Sequence, residues 1–418
     1  MNLPQLTADA VDRAAEVLSP VIRRTPLEFS ARLSEDAGVP ILLKREDQQL
    51  ARSYKLRGAH HLIAGLTEAE RARGVVCASA GNHGQGVALS CAKLGIRGRV
   101  VVPQNTPRQK RQRILALGEG WVELVTTGSS YDEASAAAHA DAESSGAIYV
   151  HPFDDARTIV GQGTIAPEVV AQAERADYPL DTVIVPVGGG GLISGITLWL
   201  HERRPDLRII GVEPEGTPSM TAALAHGGPV ALERIDTFID GAAVGRVGDL
   251  TYPIVRDLVD EVITVPEGAV CTEMLALYQT EGVIAEPAGA LASAAARRIE
   301  PRDGAMVAIV SGGNNDVSRY AEIVERSLLH EGLRHYFLVT FPQEPGALRH
   351  FLDDVLLDDA DIVVFEYVKK NNRETGPALV GIELENAADL DELMSRMQAS
   401  PLTIELVPPG SPVFSFLL

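Results

Sequence analysis

The sequence predicts an α/β protein built on parallel sheets, followed by a smaller α+β unit of ferredoxin-like order. Three observations lead there. From the N-terminus to about residue 326, short β-branched runs alternate with helix-length amphipathic stretches, the order that parallel strands and crossover helices require. Several of those runs end in glycine-bearing loops, and parallel sheets take their ligands at such strand ends. After about residue 333 the order changes to β-α-β-β-α-β, the split arrangement of a ferredoxin-like domain.

Each element follows from local signals. "TADAVDRAAEVLSP" gives a first helix with Thr7 or Asp9 as its cap and Pro20 beyond its end. "GVVCASA" is a strand and "HGQGVALSCAKLG" the helix behind it. "RGRVVVP" and "RQKRQRILALG" repeat the pair, as do "WVELVTT" and "YDEASAAAHADAESSG". "TVIVPV", "RIIGVEP" and "AMVAIVSGG" are later strands, each beside a helix-length segment. In the C-terminal part, "HYFLVTF" is a strand and "PGALRHFLDDVL" a helix. "DIVVFEYVKK" and "ALVGIELE" form a hairpin across the turn "NNRETGP", then "DLDELMSRMQ" is a helix and "LTIELV" the last strand. The domains expected are 1–326 and 334–418.

Composition narrows the ligands. A chain of 418 residues, 45% hydrophobic, has ample material for a core, and at roughly 150 residues per domain it suggests two or three domains. Its formal charge is −20, with 57 acidic against 37 basic residues. Without a basic stripe, nucleic acid and anionic membranes are not expected partners, which leaves small molecules. Cys77, Cys91 and Cys271 are odd in number and scattered, so they read as buried packing residues in a reducing compartment. The N-terminus lacks a basic-then-apolar signal pattern. The uncharged run 183–200 holds Pro186 and five glycines, so it reads as strand, loop and helix rather than a membrane span. The expected location is the cytoplasm.

Three loops and one lysine carry chemistry. "PVGGGGLISGI" sets Gly188, Gly189, Gly190 and Gly191 between an apolar strand and Leu192 at the head of an apolar helix. Amides without side chains can close round a phosphate at a helix N-terminus. No Lys-Ser/Thr pair follows, so it is not a P-loop, and it fits G-x-G-x-x-G only loosely. "SAGNHGQGVA" also joins strand to helix, and amides near Asn82 and His83 suit a carboxylate. His83 reads as a loop histidine lending its amide more readily than as a general base. The residues about 20 positions on, "PQNTP", offer no acid, which argues against a dinucleotide. In "VSGGNND", Ser311 ends a strand, where its hydroxyl could reach a ring nitrogen.

The lysine is Lys55, in "ARSYKLRGA". A free lysine, with a pKa near ~10.4, is a poor nucleophile at neutral pH. In the first turn of a helix the dipole disfavours its charge by ~0.3–1 kcal/mol. Burial beside Tyr54 and Leu56 pushes the same way. An amine eased toward neutrality suits a Schiff base with an aldehyde. Alone, it would read as a surface lysine lying past a tyrosine. Beside a phosphate cup, an anion loop and a serine at a strand end, it points to one ligand, pyridoxal 5′-phosphate.

Together these stretches resemble the fold-type II pyridoxal-phosphate enzymes (tryptophan synthase β-like, with two α/β subdomains), and most closely the biosynthetic threonine dehydratase (threonine ammonia-lyase) family. "KREDQQLARSYKLRGA", "ASAGNHGQGVA", "VPVGGGGLISG" and "IVSGGN" come in that family's order. The resemblance implies a smaller subdomain, roughly 50–155, inserted in the larger. It implies that Lys55 carries the cofactor and removes the substrate's α-proton, and that Asn82 bonds the ring hydroxyl. The amides of Gly188, Gly189, Gly190, Gly191 and Leu192 would hold the phosphate, and Ser311 would meet the pyridine nitrogen. Ser53 would face the same site, while Ser79, Gly81 and His83 would cradle the substrate carboxylate. Tyr54 stands where phenylalanine is common.

The implied reaction is β-elimination of water from L-threonine, giving 2-oxobutanoate and ammonia on the way to isoleucine, with L-serine as the alternative substrate. Serine racemase is similar in fold and loops but carries a serine where this chain has Ala80, which cannot move a proton. Its cation-binding aspartate is also missing, with Ser219 near that place, so no metal is expected. "FPQEPGALRHFLDDVL" and "FEYVKKNNRETGPALVGIELE" resemble one copy of the ACT-like regulatory domain of these dehydratases. That implies feedback by isoleucine, opposed by valine, and a homotetramer or homodimer. The competing reading from another class is an inactive amino-acid sensor, and Lys55 counts against it.

Overall fold

A computed structural model of the chain describes residues 6–367, 374–408, 411 and 414. Residues 368–373, which hold the end of an expected strand and the first part of the expected hairpin turn, lie outside the described residues. The chain forms two compact units, Met1–Asn315 and Asp316–Leu418.

Among the described residues, the first unit holds two sheets. The larger runs, in spatial order, Leu27–Ser30, Ile41–Arg45, Ala305–Val310, Leu180–Pro186, Arg208–Pro214 and Glu261–Val265. Only the edge strand Leu27–Ser30 is antiparallel to its neighbour. Every residue of Ala305–Val310 is buried, as a parallel strand covered on both faces must be. The smaller sheet is parallel throughout, in the order Val122–Thr126, Gly98–Val102, Val75–Ala78 and Ile148–Tyr149.

Register in the larger sheet decides what can meet. Ile41–Arg45, Ala305–Val310 and Leu180–Pro186 are adjacent and parallel, so all three end at one edge. The stretch leading to Lys55, the residue Ser311 and the glycine loop at 188–191 therefore leave the sheet side by side.

Glycines then fix how the helices pack. A Cβ on Gly86, in the helix Asn82–Leu94, would stand 3.1 Å from the Leu56 amide. In the helix Ala156–Gly163, a Cβ on Gly161 would meet Gly58 Cα at 2.8 Å, and one on Gly163 would meet the Gly195 carbonyl carbon at 2.8 Å. Gly58 lies in the helix Lys55–Ala64 and Gly195 in the helix Gly191–Arg203. The two helices that begin at the lysine and at the glycine loop are thus clamped to one intermediary at backbone contact.

Beneath them sits a buried charge network. Arg57 and Glu46 have fully buried side chains and pair at 2.8 Å, and Glu168 accepts from both Arg57 (2.8 Å) and Lys44 (2.7 Å). Lys44 also donates to the Thr25 carbonyl and to Gln172. Every charge has a partner, and deleting one member would strand another at a cost of ~3–5 kcal/mol.

The second unit has the sheet order Asp361–Tyr367, Thr375–Glu383, Arg334–Pro342 and Thr403–Leu406, antiparallel throughout. With the helices Ala347–Asp354 and Leu390–Ala399, it is the expected ferredoxin-like arrangement. Phe337, Val339, Phe341, Phe351, Val380, Ile382, Leu393 and Met397 form its core. The helix Tyr320–His330 goes with this unit, whereas the sequence reading assigned residues up to 326 to the first. Glu325 explains the difference: it accepts from Tyr336 Oη at 2.7 Å and pairs with Arg334. Gly332 follows that helix with a left-handed φ of +70°.

Candidate active site

Lys55 opens the helix Lys55–Ala64, and its N-cap Tyr54 provides no side-chain cap. Its amine donates to the Pro152 carbonyl at 3.1 Å and lies 5.2 Å from the centroid of the Tyr54 ring. Burial lowers its pKa to about 8, against the pull of the Glu286 carboxylate. Lys55 lines a small cavity with Tyr54, Phe153, Gly188, Gly189, Gly190, Gly191 and Leu192.

The glycine loop has no room for side chains. A Cβ on Gly189 would overlap the Phe153 ring, and one on Gly191 would stand 2.8 Å from Phe153 Cα. Gly190 has φ +92° and its Cβ would meet Thr251 Oγ1 at 2.7 Å. The same hydroxyl donates to the Gly189 carbonyl at 2.7 Å. The helix Gly191–Arg203 begins directly after this turn, so its free amides and positive dipole end face the cavity's rim.

Asn82 begins the helix Asn82–Leu94. Its Nδ2 donates to Glu286 at 2.5 Å, and its Oδ1 accepts from Asn314 Nδ2 at 2.7 Å. Ser311 donates its hydroxyl to the Ala288 carbonyl at 3.1 Å, while its own carbonyl accepts from the Tyr54 amide. Ser53 is fully buried and bridges to Gly312. Ser79 accepts from the Gly81 amide at 3.2 Å in the loop before Asn82. His83 contacts the Val150 carbonyl through Nε2 at 2.7 Å. Burial first, then the nearby Lys55 charge, push its pKa down to about 3, so the ring is neutral and Nε2 carries the proton.

The cavity wall itself thus takes in Lys55 and the residues 188–192. Asn82 joins them through Glu286, which acts electrostatically on Lys55. Ser53 and Ser311 join through the backbone around Tyr54. Ser79, Gly81 and His83 belong to the loop whose helix presses Gly86 onto Lys55 and Leu56.

Two parts of the site escaped the sequence reading. One is the stretch after the two-residue strand Ile148–Tyr149: Pro152 meets the lysine, Phe153 walls the glycine loop, and Asp154 accepts from the Asp249 and Leu250 amides at 3.0 and 2.8 Å. "HPFDD" carries no glycine and follows too short a strand to draw notice. The other is Glu286, which in sequence is merely an acid before a helix-starting proline.

Comparison with known proteins bears on this arrangement directly. Residues 18–312 match the family described as pyridoxal-phosphate dependent enzyme, and residues 325–417 match the C-terminal regulatory domain of threonine dehydratase. The chain belongs to the pyridoxal-phosphate dependent enzymes. It is 57% identical over 416 residues to a Mycobacterium tuberculosis protein named L-threonine dehydratase biosynthetic IlvA, covering 99% of this chain and 96% of that one. Among solved structures, threonine deaminase isoform 2 from Solanum lycopersicum is 36% identical with a TM-score of 0.71, covering 76% of this chain and 94% of its own. Maize serine racemase is 33% identical with a TM-score of 0.71, covering 78% and 98%.

The residues present fit the cofactor of this family on physical grounds. The glycine loop is a cradle that any Cβ would fill. Ser53 Oγ and His83 Nδ1 are buried without a hydrogen-bond partner among the described residues. Buried polar atoms are rarely left so, and a polar ligand would satisfy them. The lysine amine is eased toward its neutral, nucleophilic form, as an aldehyde-binding group must be.

Proposed function

We propose that this chain deaminates L-threonine to 2-oxobutanoate and ammonia, as the first step of isoleucine biosynthesis, under feedback from isoleucine. The full-length likeness to biosynthetic threonine dehydratases carries this reading, because it takes in the second unit as well as the lysine-bearing cavity. With Ala80 where a racemase has its serine, no hydroxyl is offered from that position to reprotonate the α-carbon.

Bound pyridoxal phosphate supplies an electron sink that labilises the substrate's α-proton. The rest is the work of this chain's residues. Lys55 would hold the cofactor through its amine, and that amine, free when the substrate is bound in its place, would take the proton as a general base. Its pKa of about 8 suits the task, because enough amine is neutral to accept a proton at physiological pH. The amides of Gly188, Gly189, Gly190, Gly191 and Leu192 would hold the phosphate at the helix N-terminus, where negative charge is favoured. Asn82 would bond the ring hydroxyl and Ser311 would meet the ring nitrogen. Ser53, Ser79, Gly81 and His83 receive the substrate, with the amides of the 79–83 loop on its carboxylate. Tyr54 and Phe153 wall the cavity and exclude water, so that elimination of the β-hydroxyl is favoured over side reactions.

No helix among the described residues is long and apolar enough to cross a membrane. The proposal places the enzyme in the cytoplasm as a homotetramer or homodimer. Its effectors are isoleucine and, in opposition, valine, acting through the second unit. The test is direct. Reconstituted protein should absorb near the edge of the visible and form keto acid from threonine, with serine as the comparison substrate. Lys55→Ala should abolish both. Keto-acid formation that survives this substitution would overturn the assignment.

A further inference from the structure

Building on the pyridoxal-phosphate reading, we propose that Glu286 is a positioning residue that fixes which way the Asn82 amide faces, and so which of its atoms meets the cofactor. An asparagine amide is nearly symmetric in shape but not in chemistry, since one end donates and the other accepts. Here both ends are committed. Nδ2 gives one N–H to Glu286 at 2.5 Å, and Oδ1 accepts from Asn314 Nδ2 at 2.7 Å. Asn314 is held in turn by the Ala51 carbonyl at 2.8 Å. Flipping Asn82 would set oxygen against the carboxylate and N–H against N–H. The second N–H on Nδ2 is thereby left to point at an acceptor, as a cofactor oxygen would be.

The carboxylate's own place is built for it. Glu286 caps the helix Pro287–Ala295 and its amide donates to the Gly312 carbonyl at 3.1 Å. Gly312 and Gly289 leave the space, since a Cβ on the first would overlap the Glu286 carboxylate and one on the second the Gly312 carbonyl. Glu286 is 5% exposed and forms no salt bridge among the described residues. The charged groups that act on it, Asp240, Lys110, Arg52 and Lys55, do so without contact. Burial followed by Asp240 raises its pKa to about 7, while the Asn82 contact opposes the rise. An unpaired buried acid is destabilising, and its retention here fits a role at the site rather than in the fold. A carboxylate also does what glutamine cannot: in its ionised form, which prevails above about pH 7, it only accepts, so it then dictates the orientation of the amide it meets.

The experiment measures cofactor dissociation and the absorbance maximum of the holoenzyme in Glu286→Ala, Glu286→Gln, Asn82→Ala and the double variant Asn82→Ala/Glu286→Ala. Glu286→Ala should release cofactor about tenfold more readily and shift the band, the loss expected for one charge-assisted hydrogen bond. Glu286→Gln should fall between it and the natural protein. In the Asn82→Ala background, Glu286→Ala should add less than about twofold, because its effect runs through the missing amide. Additive losses in the double variant, or unchanged dissociation and spectrum in Glu286→Ala, would overturn the proposal. Melting of the cofactor-free proteins controls for folding. Should Glu286→Ala not fold, Asn314→Ala frees the other end of the amide and carries the same expectation. If the natural protein itself binds no cofactor through Lys55, the reading above fails. If it does and the amide's supports prove irrelevant, only this inference fails.

Discussion

Lys55 shows how far one residue's chemistry depends on its setting. A lysine with the ordinary pKa of 10.5 would be neutral in only roughly one molecule in three thousand at pH 7, whereas at about 8 the neutral share is about a tenth. The neutral amine attacks aldehydes, so its share sets the rate of cofactor capture. The sign follows: lowering the pKa moves the rise in capture rate to lower pH. The cofactor-free protein should therefore take up pyridoxal phosphate at a rate that climbs through about pH 8 and levels above it. Stopped-flow absorbance across pH 6–10 would check this, and a rate still climbing steeply at pH 10 would contradict it. This residue was legible in the sequence because three loops with independent chemical meaning stood beside it. Glu286 was not, since its partner Asn82 lies 204 positions away and neither neighbourhood names the other. The buried Arg57–Glu46–Glu168–Lys44 network was hidden for the same reason: in sequence, each of its members reads as an ordinary surface charge.

At the scale of elements, the lysine and the glycine loop are held apart at a set distance by helices in backbone contact. The helix Ala156–Gly163 is the spacer, and Gly161 meets the backbone of the helix that begins at Lys55. A Cβ at 161 would meet Gly58 Cα, the Arg57 carbonyl and His61 Cβ, all within 2.9 Å. Two of these are backbone and cannot rotate away, so the helices must separate. Gly161→Ala should destabilise the protein by ~1–3 kcal/mol, as overpacked cores do, and should weaken cofactor binding because Lys55 moves with its helix. Gly65→Ala is the control: at the far end of the same helix, its Cβ would stand 3.5 Å from the His61 carbonyl, an ordinary contact. Thermal melting and cofactor titration of both variants decide the matter, and equal behaviour would sink the spacer idea. The strand–loop–helix units were readable in advance because parallel strands repeat a β-branched pattern and end in glycines. The packing glycines were not, because a lone glycine inside a helix pattern has no signature until its neighbour is known. The helix Pro287–Ala295 is buried on all sides, so it has no polar face for a periodicity to reveal.

At the scale of the whole molecule, the division of labour lies between the units. Every residue assigned above to cofactor, substrate or proton transfer falls within Met1–Asn315. The second unit has a closed core of its own and contributes no residue to that list. Its tendency to be ferredoxin-like was readable from strand and helix order alone, while its starting point was not, because the ion pair and hydrogen bond that bind Glu325 to it are invisible in sequence. If isoleucine acts through this unit, its effect on threonine is a coupling free energy, and such couplings run to ~1–3 kcal/mol, or roughly 5–150-fold in apparent affinity. Linkage makes the effect reciprocal: threonine must weaken isoleucine binding by the factor by which isoleucine weakens threonine binding. Calorimetric titration of isoleucine and of a threonine analogue lacking the leaving hydroxyl, each with the other present, should return one factor for both. A chain ending after Asn315 should keep its cofactor band and its deaminase activity while losing the response to isoleucine. Inhibition by isoleucine that persists in that shortened chain would move the effector site into the first unit and remove the regulatory role assigned to the second.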